Sequence, residues 1–463
     1  MTNNILRFEA GTLVLEMSDV SLFPFELAGV FKHDPRTGNF RARASDYSKV
    51  ILAFKEKSLQ LDDQARDYEK FTQLPLREKI VPHPHQEHAL EQWLAASGRG
   101  VVSLPTGAGK TILALLAIAR LKRPAIVLVP TIDLLAQWAG VLERFFSVPI
   151  GILGGGEHRI EPITVSTYDS AVLNMEFIGN KFALLIADEC HHLPGAEFQL
   201  GAAMCIAPFR LGLSATLELD PERSERLRSL MGETVCSVGI DELEGSILSL
   251  YQVKRFFVQL SREEEILYRR QRAIYTAFRQ KHGISFARSS GWRDFLIACS
   301  RFEGGREAFA AFLEQRKTAR AGKAKLAVLK NILLNHPGER IIIFTADNDS
   351  AYEIGRYFTF PVLTHHTKAA ERKSFLESFR NGEFPVLVTS KVLNEGVDVP
   401  SAAVGVVFSG SGSVREHVQR LGRILRPAPG KERAMLYELV SAGTSEEYTS
   451  SRRREHLAYR KHR

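Results

Sequence analysis

Cysteine is scarce in this chain of 463 residues, which has only four. Cys190, Cys205, Cys236 and Cys299 are scattered and form no C-x-x-C pair, so a disulfide framework and a zinc ribbon are both excluded. Cys190 is followed by two histidines, but adjacent residues rarely point to one metal centre, and no second ligand pair stands at zinc spacing. We therefore expect reduced thiols in a reducing cytosol.

Long apolar runs are also missing. No run approaches the ~20 residues that a membrane span needs, no basic-then-apolar leader opens the chain, and there is no low-complexity tract. We expect a soluble, cytoplasmic protein with no membrane partner. A hydrophobic content of 44% over this length is enough for about three domains.

The charge balance is positive, with 61 Lys and Arg against 53 Asp and Glu. A net charge of +8 favours a polyanionic partner such as nucleic acid. The preference is modest, because residues 451–463 hold six Lys and Arg against one Glu and are typical of a solvated terminus. We treat residues 446–463 as a basic tail.

Residues 1–78 have the pattern of a small α+β module. Ala10-Gly11 and the stretch 34–38 each separate two strand-like segments, which predicts two hairpins. A helix follows in the pattern, with an apolar face of Tyr47, Val50, Ile51 and Phe54.

Two longer regions, 79–245 and 321–445, alternate short apolar runs with helical stretches. This alternation predicts parallel sheets with crossover helices, and hence two α/β domains. The first region contains the runs "AIVLVP", "ITVSTYD", "FALLIADE" and "FRLGLSAT", and the second contains "RIIIFT", "FPVLTH", "FPVLVTS" and "AAVGVVFSG".

Residues 246–320 read as a strand followed by a helical insert. Ser261 and Glu264 stand at capping-box spacing, ahead of a helical stripe formed by Leu267, Ile274 and Phe278. Arginines and lysine mix here with aromatics, and such a mixture can bind a nucleic-acid backbone while stacking bases. An amphipathic helix with aromatics toward its core explains the pattern equally well. The basic residues are Arg269, Arg270, Arg272, Arg279 and Lys281, and the aromatics are Tyr268, Tyr275 and Phe278.

A glycine-rich loop precedes a core helix at residues 105–111, "PTGAGKT". Gly107 and Gly109 would let a phosphate approach main-chain N–H groups, and Lys110 adds a positive charge at the helix start. A strand at 100–104 and a helix at 112–119 supply the context that a phosphate-binding loop requires. Leu104 replaces the usual first glycine, so an ordinary turn that caps a core helix is the alternative.

Asp188 and Glu189 follow the apolar run "FALLIA", at the carboxyl end of a predicted strand. In nucleotide hydrolysis the first carboxylate can hold Mg²⁺ together with the Thr111 hydroxyl, and the second can orient the attacking water. Simple capping of the next helix is the alternative, but it leaves the charge at the edge of an apolar strand unexplained.

The second α/β region contains "QRLGRILRP", with Gln419, Arg423 and Arg426. Arginines at i and i+3 share a helical face and can hold a γ-phosphate in the transition state. A solvated basic helix is the alternative. Because the phosphate loop and these arginines lie in different domains, we expect ATP to bind in the cleft between them, which would open and close with hydrolysis.

In order along residues 86–426, these motifs resemble those of superfamily 2 helicases: "PTGAGKT", "PTIDLLAQW", "VSTYDS", "DECH", "SAT", "IIIFT", "VTSKVLNEGVDVP" and "QRLGRILR". The resemblance implies two RecA-like domains and a DNA-dependent ATPase that uses ATP and Mg²⁺. It implies phosphate and Mg²⁺ binding by Lys110 and Thr111, Mg²⁺ binding by Asp188, water activation by Glu189, and contact of Arg423 and Arg426 with the γ-phosphate.

The remaining implied roles concern adenine, the phosphate loop, DNA and the link between the two ligands. Gln86 would read adenine; Pro105, Thr106, Gly107, Ala108 and Gly109 would complete the phosphate loop; Thr131, Thr167 and Thr389 would touch the nucleic-acid backbone; Gly396 and Asp398 would couple that contact to the nucleotide; Gln419 would act beside the arginines.

Within the superfamily the chain is similar to XPB-type DNA helicases in their short archaeal and bacterial form, through "APFRLGLSAT", "NEGVDVP" and "FSGSGSVREHVQRLGRILRP". The resemblance implies a DNA-sensing module at 1–78, a thumb-like insert, 3′–5′ movement and a role in repair. We expect a monomer associated with the nucleoid.

Two departures from the family pattern matter. Leu219-Asp220-Pro221 stands where the family has an Arg-Glu-Asp tripeptide tied to duplex opening, and His85 replaces the usual aromatic before Gln86. Strand separation is therefore less secure than ATP hydrolysis. The alternatives are a duplex-DNA translocase that does not separate strands and an ATP-switched DNA-binding subunit for a partner nuclease.

Overall fold

The computed structural model describes residues 4–17, 19–35, 38–217, 220–286, 290–390, 402–410, 422 and 433–454. The chain divides into two compact units, Met1–Gly239 and Ile240–Arg463, which we describe separately.

The first unit begins with a five-stranded sheet in the order β3-β4-β2-β1-β5. Its strands are β1 (Asn4–Glu9), β2 (Thr12–Glu16), β3 (Lys32–Asp34), β4 (Asn39–Arg43) and β5 (Leu61–Asp63), and its helix is α1 (Tyr47–Glu56). Both predicted hairpins are confirmed, because β1 pairs antiparallel with β2 and β3 with β4. Ala10 and Gly11 have φ of 44° and 72°, the left-handed conformation that a tight hairpin turn needs. The parallel pairing of β5 with β1 is not evident in the sequence.

This module is not packed as a separate body within its unit. Its core, which includes Leu13, Val50 and Phe54, also contains Ile206 from the neighbouring α/β domain. Met204 lies so close to Gly11 that a Cβ there would fall 2.7 Å from the Met204 Cγ. The module therefore buries part of its apolar surface against the α/β domain.

The α/β domain of the first unit contains an eight-stranded sheet in the order β13-β6-β12-β11-β7-β10-β8-β9. Its strands are β6 (Arg99–Ser103), β7 (Ala125–Val129), β8 (Ile150–Gly154), β9 (Glu157–Arg159), β10 (Ile163–Thr167), β11 (Leu184–Asp188), β12 (Phe209–Ser214) and β13 (Thr234–Ser237). Its helices are α2 (Pro84–Ala95), α3 (Lys110–Leu121), α4 (Ile132–Phe145), α5 (Tyr168–Ile178), α6 (Gln199–Ala203) and α7 (Pro221–Met231).

The central strands of this sheet are parallel and buried along their whole length. Continuous apolar runs form such strands because helices cover both faces of the sheet. The four strands predicted from these runs are confirmed. The sheet ends in the exposed strand β9, which pairs antiparallel with β8.

The second unit has a six-stranded parallel sheet in the order β14-β19-β18-β15-β17-β16. Its strands are β14 (Leu250–Val258), β15 (Ile341–Phe344), β16 (Val362–Leu363), β17 (Val386–Thr389), β18 (Val404–Val407) and β19 (Arg433–Ser441). Its helices are α8 (Ile240–Leu243), α9 (Arg262–Lys281), α10 (Gly291–Arg301), α11 (Gly305–Arg320), α12 (Lys323–Leu334), α13 (Asn348–Phe358), α14 (Ala369–Asn381) and α15 (Ser445–Arg454). The strand predicted ahead of the insert is β14, and it belongs to this sheet through parallel pairing with β19.

Helices α9, α10 and α11 form the helical insert. The predicted capping box is present: the Ser261 hydroxyl accepts from the Glu264 N–H at 3.2 Å, and the Glu264 carboxylate accepts from the Ser261 N–H at 3.0 Å. Phe278 is buried in the insert core beside Phe295, as its place on the stripe predicts. The placement of Leu267 on that buried stripe is wrong, because its side chain is 37% exposed.

The four cysteines are buried, and none forms a disulfide. Within the described ranges, every helix is too short or too polar to cross a bilayer.

Candidate active site and nucleic-acid interface

Five neighbouring strands of the first α/β sheet, in the order β6-β12-β11-β7-β10, end at the same edge. Because they are parallel, the segments that follow them meet there. The glycine-rich loop follows β6, the "SAT" segment ends β12, Asp188-Glu189 ends β11, Thr131 follows β7, and Thr167 ends β10. This edge therefore collects the sequence-predicted site residues of the first unit.

The glycine-rich loop turns sharply into α3. Gly107 and Gly109 have φ of 92° and 82°, values that residues with a side chain rarely adopt. Lys110 is the first residue of α3, and its Nζ donates to the Leu104 carbonyl at 3.3 Å. The same Nζ lies 4.0 Å from Glu189 Oε1. The loop thus places a lysine at a helix N-terminus, where backbone N–H groups favour phosphate.

Gln86 is buried at the start of α2 and contacts the glycine-rich loop. Its Nε2 donates to the Ala108 carbonyl at 3.0 Å, and its Oε1 accepts from the His83 N–H at 2.9 Å. A Cβ at Gly109 would overlap with this amide. His85, the departure from the family pattern, donates from Nε2 to the same Ala108 carbonyl at 2.8 Å. Both side chains hold the phosphate loop in place, and the adenine-reading role of Gln86 stays a prediction.

Asp188 ends β11 with only 7% of its surface exposed. Its Oδ2 accepts from the Trp138 indole N–H at 2.8 Å, and its Oδ1 accepts from the Glu189 N–H at 3.0 Å. The Tyr168 hydroxyl donates to the Asp188 carbonyl at 2.9 Å. Burial and the neighbouring Glu189 carboxylate raise the pKa of Asp188 to about 6, while Lys110 and the Trp138 hydrogen bond oppose that rise.

Glu189 follows the last residue of β11 and has φ of 48°, a left-handed conformation. Its Oε2 lies 3.5 Å from His191 Nδ1 and is a buried oxygen with no hydrogen-bond partner among the described residues. Such atoms are costly in a folded protein unless a ligand or water completes them.

The "SAT" segment is tied to the "DECH" segment. His191 Nδ1 lies 3.1 Å from the Ser214 hydroxyl, which in turn donates to the Thr216 carbonyl at 2.6 Å. Any shift of β12 relative to β11 would break this chain of hydrogen bonds.

Thr131 and Thr167, predicted to touch the DNA backbone, are the N-cap residues of α4 and α5. Each hydroxyl accepts a backbone N–H at 3.2 Å, from Leu134 and Ser170 respectively. Thr167 is only 6% exposed. Their side chains therefore serve the helix starts, and what they present at the edge is two helix N-termini, where backbone N–H groups favour phosphate.

Thr389 ends β17 in the second unit and is fully buried, with its hydroxyl donating to the Ser390 carbonyl at 3.2 Å. The other predicted residues of this unit lie outside the described residues; they are Gly396, Asp398, Gln419, Arg423 and Arg426.

The residues of the first unit fit a magnesium-bound nucleotide. Carboxylate and hydroxyl oxygens, which Asp188 and Thr111 supply, are ligands that Mg²⁺ prefers, and it is usually bound through one or two carboxylates plus substrate phosphates. In keeping with that mode, the described part of the chain has no group of three or more His, Cys, Asp or Glu placed to hold a metal on its own. Thr106 and Glu189 each have a buried oxygen that no described group hydrogen-bonds, and both lie in the segments that would face this ligand.

Sequence reasoning missed Trp138 as a holder of Asp188, although it lies within the motif "PTIDLLAQW". A signal was present: Leu134, Leu135 and Trp138 form the buried face of α4, and a buried indole N–H needs an acceptor. The sequence does not reveal that this acceptor is Asp188, which stands 50 residues further along.

Solved helicase structures share the fold. The crystal structure of the Pyrococcus furiosus Hef helicase domain has a TM-score of 0.54 and 19% identity, covering 81% of this chain and 99% of that one. The S. cerevisiae Dbp5 structure bound to RNA and ADP BeF3 has a TM-score of 0.56 and 16% identity, covering 82% and 88%. The chain thus shares the fold of these two structures, and the predicted fold class is confirmed.

Three family models match in turn. Residues 6–65 match the Xeroderma pigmentosum group B helicase damage recognition domain, 79–219 the type III restriction enzyme res subunit, and 324–428 the helicase conserved C-terminal domain. A DNA 3'-5' translocase XPB2 from Sulfurisphaera tokodaii is 38% identical over 416 residues, covering 90% of this chain and 94% of that protein. A DNA 3'-5' helicase XPB from Mycobacterium tuberculosis is 31% identical over 378 residues; these cover 78% of this chain but only 61% of that protein.

This chain belongs to the XPB family of superfamily 2 DNA helicases and translocases. Three predictions are therefore confirmed: that the chain belongs to this family, that it is an enzyme that uses ATP, and that DNA is its partner.

Proposed function

We propose that this protein couples Mg²⁺-dependent ATP hydrolysis at the carboxyl edge of its first α/β sheet to 3′–5′ movement on DNA, and that it acts in repair. One observation carries the proposal. The phosphate loop, the "SAT" segment and Asp188-Glu189 follow three adjacent strands, and the next two strands lead into helix N-termini capped by Thr131 and Thr167. Nucleotide-binding and phosphate-backbone-binding features are thus neighbours on one edge.

Each residue of the site has a chemical task under this proposal. Lys110 and the N–H groups of the loop bind the ATP phosphates. Asp188 and Thr111 hold Mg²⁺, which when bound neutralises charge on the phosphates. Glu189 orients the attacking water through Oε2 and accepts its proton. Trp138 and Tyr168 are positioning residues, because they hold Asp188 rather than touch the reacting atoms.

The test is a pair of DNA assays on the full chain and on Glu189→Gln. A fork with blocked ends reports strand separation, and a triplex-displacement substrate reports movement along a duplex. Both signals should require ATP and vanish in Glu189→Gln. Triplex displacement by that variant at the normal rate would refute the assignment of Glu189.

A duplex-DNA translocase that does not separate strands is the second candidate, and one observation favours it. Where the family has its Arg-Glu-Asp tripeptide, Asp220 is the N-cap of α7, accepting from the Arg223 N–H at 3.0 Å, and Pro221 is the first helical residue. These residues start a helix, and Leu219 lies outside the described residues. Triplex displacement without fork opening would support this candidate.

The finer predictions remain part of the proposal: an optional partner nuclease, a monomeric state, a place in the cytoplasm beside the nucleoid, and the domain limits at residues 78, 245, 320 and 445. An ATP-switched DNA-binding subunit for that nuclease would retain DNA in a nucleotide-dependent manner without moving. Processive displacement of a strand or of a triplex would exclude it.

A further inference from the structure

A cavity of about 660 Å³ lies in the second unit among α9, α10, α11 and α15. This volume falls within the roughly 300–1,000 Å³ of small-molecule sites. We call it the arginine–aromatic cleft. All the residues that line it belong to the second unit and are described. Three of them, Arg272, Tyr275 and Arg279, belong to the basic and aromatic mixture noted in the sequence, and none has a part in the proposed ATP site.

One wall of the cleft is aromatic. Tyr275 and Trp292 each lie within 5.3 Å of Phe312 between ring centroids, and Phe286 lies 6.4 Å from both Tyr275 and Trp292. Trp292 and Phe286 are 43% and 39% exposed, so this wall offers ring surface that the protein itself does not cover. Aromatic side chains exposed in a cleft are platforms for stacking a base.

The cleft is also lined by positively charged side chains. Arg272, Arg279 and Arg316 line it and make no ion pair within the described part of the chain, whereas Arg320 pairs with Asp347 at 3.2 Å. Burial and the nearby Arg320 lower the pKa of the Arg316 guanidinium. The one acidic lining residue, Glu446, is already bound by Lys325 at 2.5 Å. Within the described residues, three arginines of the cleft are therefore not ion-paired, and the one carboxylate beside them is shared with Lys325.

The floor contains a polar group that the protein leaves unused. Gln315 is 96% buried, since only 4% of its surface is exposed, and its side-chain amide makes no hydrogen bond to any described residue. An amide carries two donors and an acceptor, and those of Gln315 are available to a molecule in the cleft that it lines. A ligand with donors and acceptors along one edge would complete it.

From these observations we infer that the arginine–aromatic cleft binds one unstacked nucleotide, with its base against the aromatic wall and the Gln315 amide, and its phosphate on Arg316 and Arg279. The ligand is a base joined to a phosphate, and two sources could supply it. The first is a DNA strand if the proposed function holds, and the inference rests on the proposed function only in this respect. A free mononucleotide is the other source.

The cleft contains its own reporter. The chain has three tryptophans, and Trp93 and Trp138 are buried in the first unit, so exposed Trp292 is the one placed to respond to a stacked base. Trp292 emission should be titrated in the full chain with a (dT)12 oligonucleotide, with an abasic strand of the same length, and with dTMP. We expect (dT)12 to quench the emission and the abasic strand to leave it unchanged. Saturable quenching by dTMP alone would identify the free nucleotide as the source.

Arg316→Ala should weaken the quenching titration about tenfold and reduce its slope against salt by about 0.7, the value for one phosphate contact with a single strand. Lys317→Ala is the matched control, because it is the next residue on the same helix but does not line the cleft. Gln315→Met should weaken binding of (dT)12 while keeping the thermal midpoint of unfolding.

Trp292 emission that does not respond to (dT)12 or to dTMP overturns the inference, as does an equal loss in Arg316→Ala and Lys317→Ala. Failure of the proposed function is a different result. Lys110→Ala should lose ATP hydrolysis and still show full quenching of Trp292 emission. Loss of ATP hydrolysis and loss of nucleotide binding in the cleft can therefore be distinguished in the same samples.

Discussion

The carboxyl edge of the first α/β sheet has two halves that use their polar side chains differently. Strands β6, β11 and β12 lead to Thr106, Glu189 and Thr216, each with a buried oxygen that has no hydrogen-bond partner in the part of the chain that the structure describes. Strands β7 and β10 lead to Thr131 and Thr167, whose hydroxyls are both used as helix caps.

This difference indicates which groups a bound ligand would hydrogen-bond. Unpartnered buried oxygens are destabilising unless something completes them, so they mark the half proposed for the nucleotide. Hydroxyl oxygens used as caps leave the backbone N–H groups of the two helix starts as the main donors of this half, and these suit a phosphate backbone of any sequence. Substitutions in the first half should therefore affect chemistry, and those in the second half should affect stability and affinity.

The largest effect is expected from Lys110→Ala in the nucleotide half. Loss of the only lysine at the helix start should reduce ATP hydrolysis at least about a hundredfold, the scale for removing a group that stabilises transition-state charge. Steady-state hydrolysis with and without DNA measures this. Circular dichroism melting should show an intact fold, and near-normal turnover in such a folded variant would refute the site.

Glu189→Gln should come next. The amide keeps the shape of the side chain but cannot take a proton, so turnover should fall about a hundredfold while ATP and DNA stay bound. Retention of labelled ATP on a filter, beside single-turnover hydrolysis, measures both. Rapid release of product would remove the water-activating role.

Trp138→Phe tests the contact that the sequence did not reveal. Removing the indole N–H frees Asp188 Oδ2, and we expect about a tenfold higher Mg²⁺ requirement, since groups that hydrogen-bond to a metal ligand are worth roughly 10–100-fold in metal affinity or activity. Mg²⁺ titrations of hydrolysis and of protection against thermal unfolding measure it. Trp93→Phe is the matched control, because its indole also donates to a buried acceptor, the Arg210 carbonyl at 2.9 Å, and should leave the Mg²⁺ requirement unchanged.

The smallest effect belongs to the DNA half. Thr131→Ala should cost about 1 kcal/mol of stability through loss of a cap and should weaken DNA binding only a few-fold, and Thr131→Ser should restore both. Urea unfolding and fluorescence anisotropy measure the two quantities. A large loss of DNA affinity in Thr131→Ala at unchanged stability would mean that the hydroxyl itself binds the strand, and the contrast between the halves would fail.

Much of the fold and the composition of the site were predictable. Buried strands appear as continuous apolar runs, hairpin turns as Ala10-Gly11, and the helix start as Ser261 with Glu264, because each depends on residues close together in the chain. The contacts of Trp138 with Asp188 and of Ile206 with the N-terminal module were not predictable, because each joins residues far apart. Leu267 was misplaced because helical spacing identifies a stripe without showing how far the packing partners extend.

Local chemistry along the chain thus established that this protein has two parallel-sheet domains, a phosphate loop and a pair of carboxylates at a strand end. Periodicity and short motifs are properties of neighbouring residues, so they favour the same local structure wherever the segment lies in the chain. The tertiary structure determined the order of the strands and therefore which loops are adjacent. It also determined which hydroxyls are used as caps and which arginines line the arginine–aromatic cleft. Those outcomes depend on long-range packing, where partners are selected by shape and burial rather than by position in the chain.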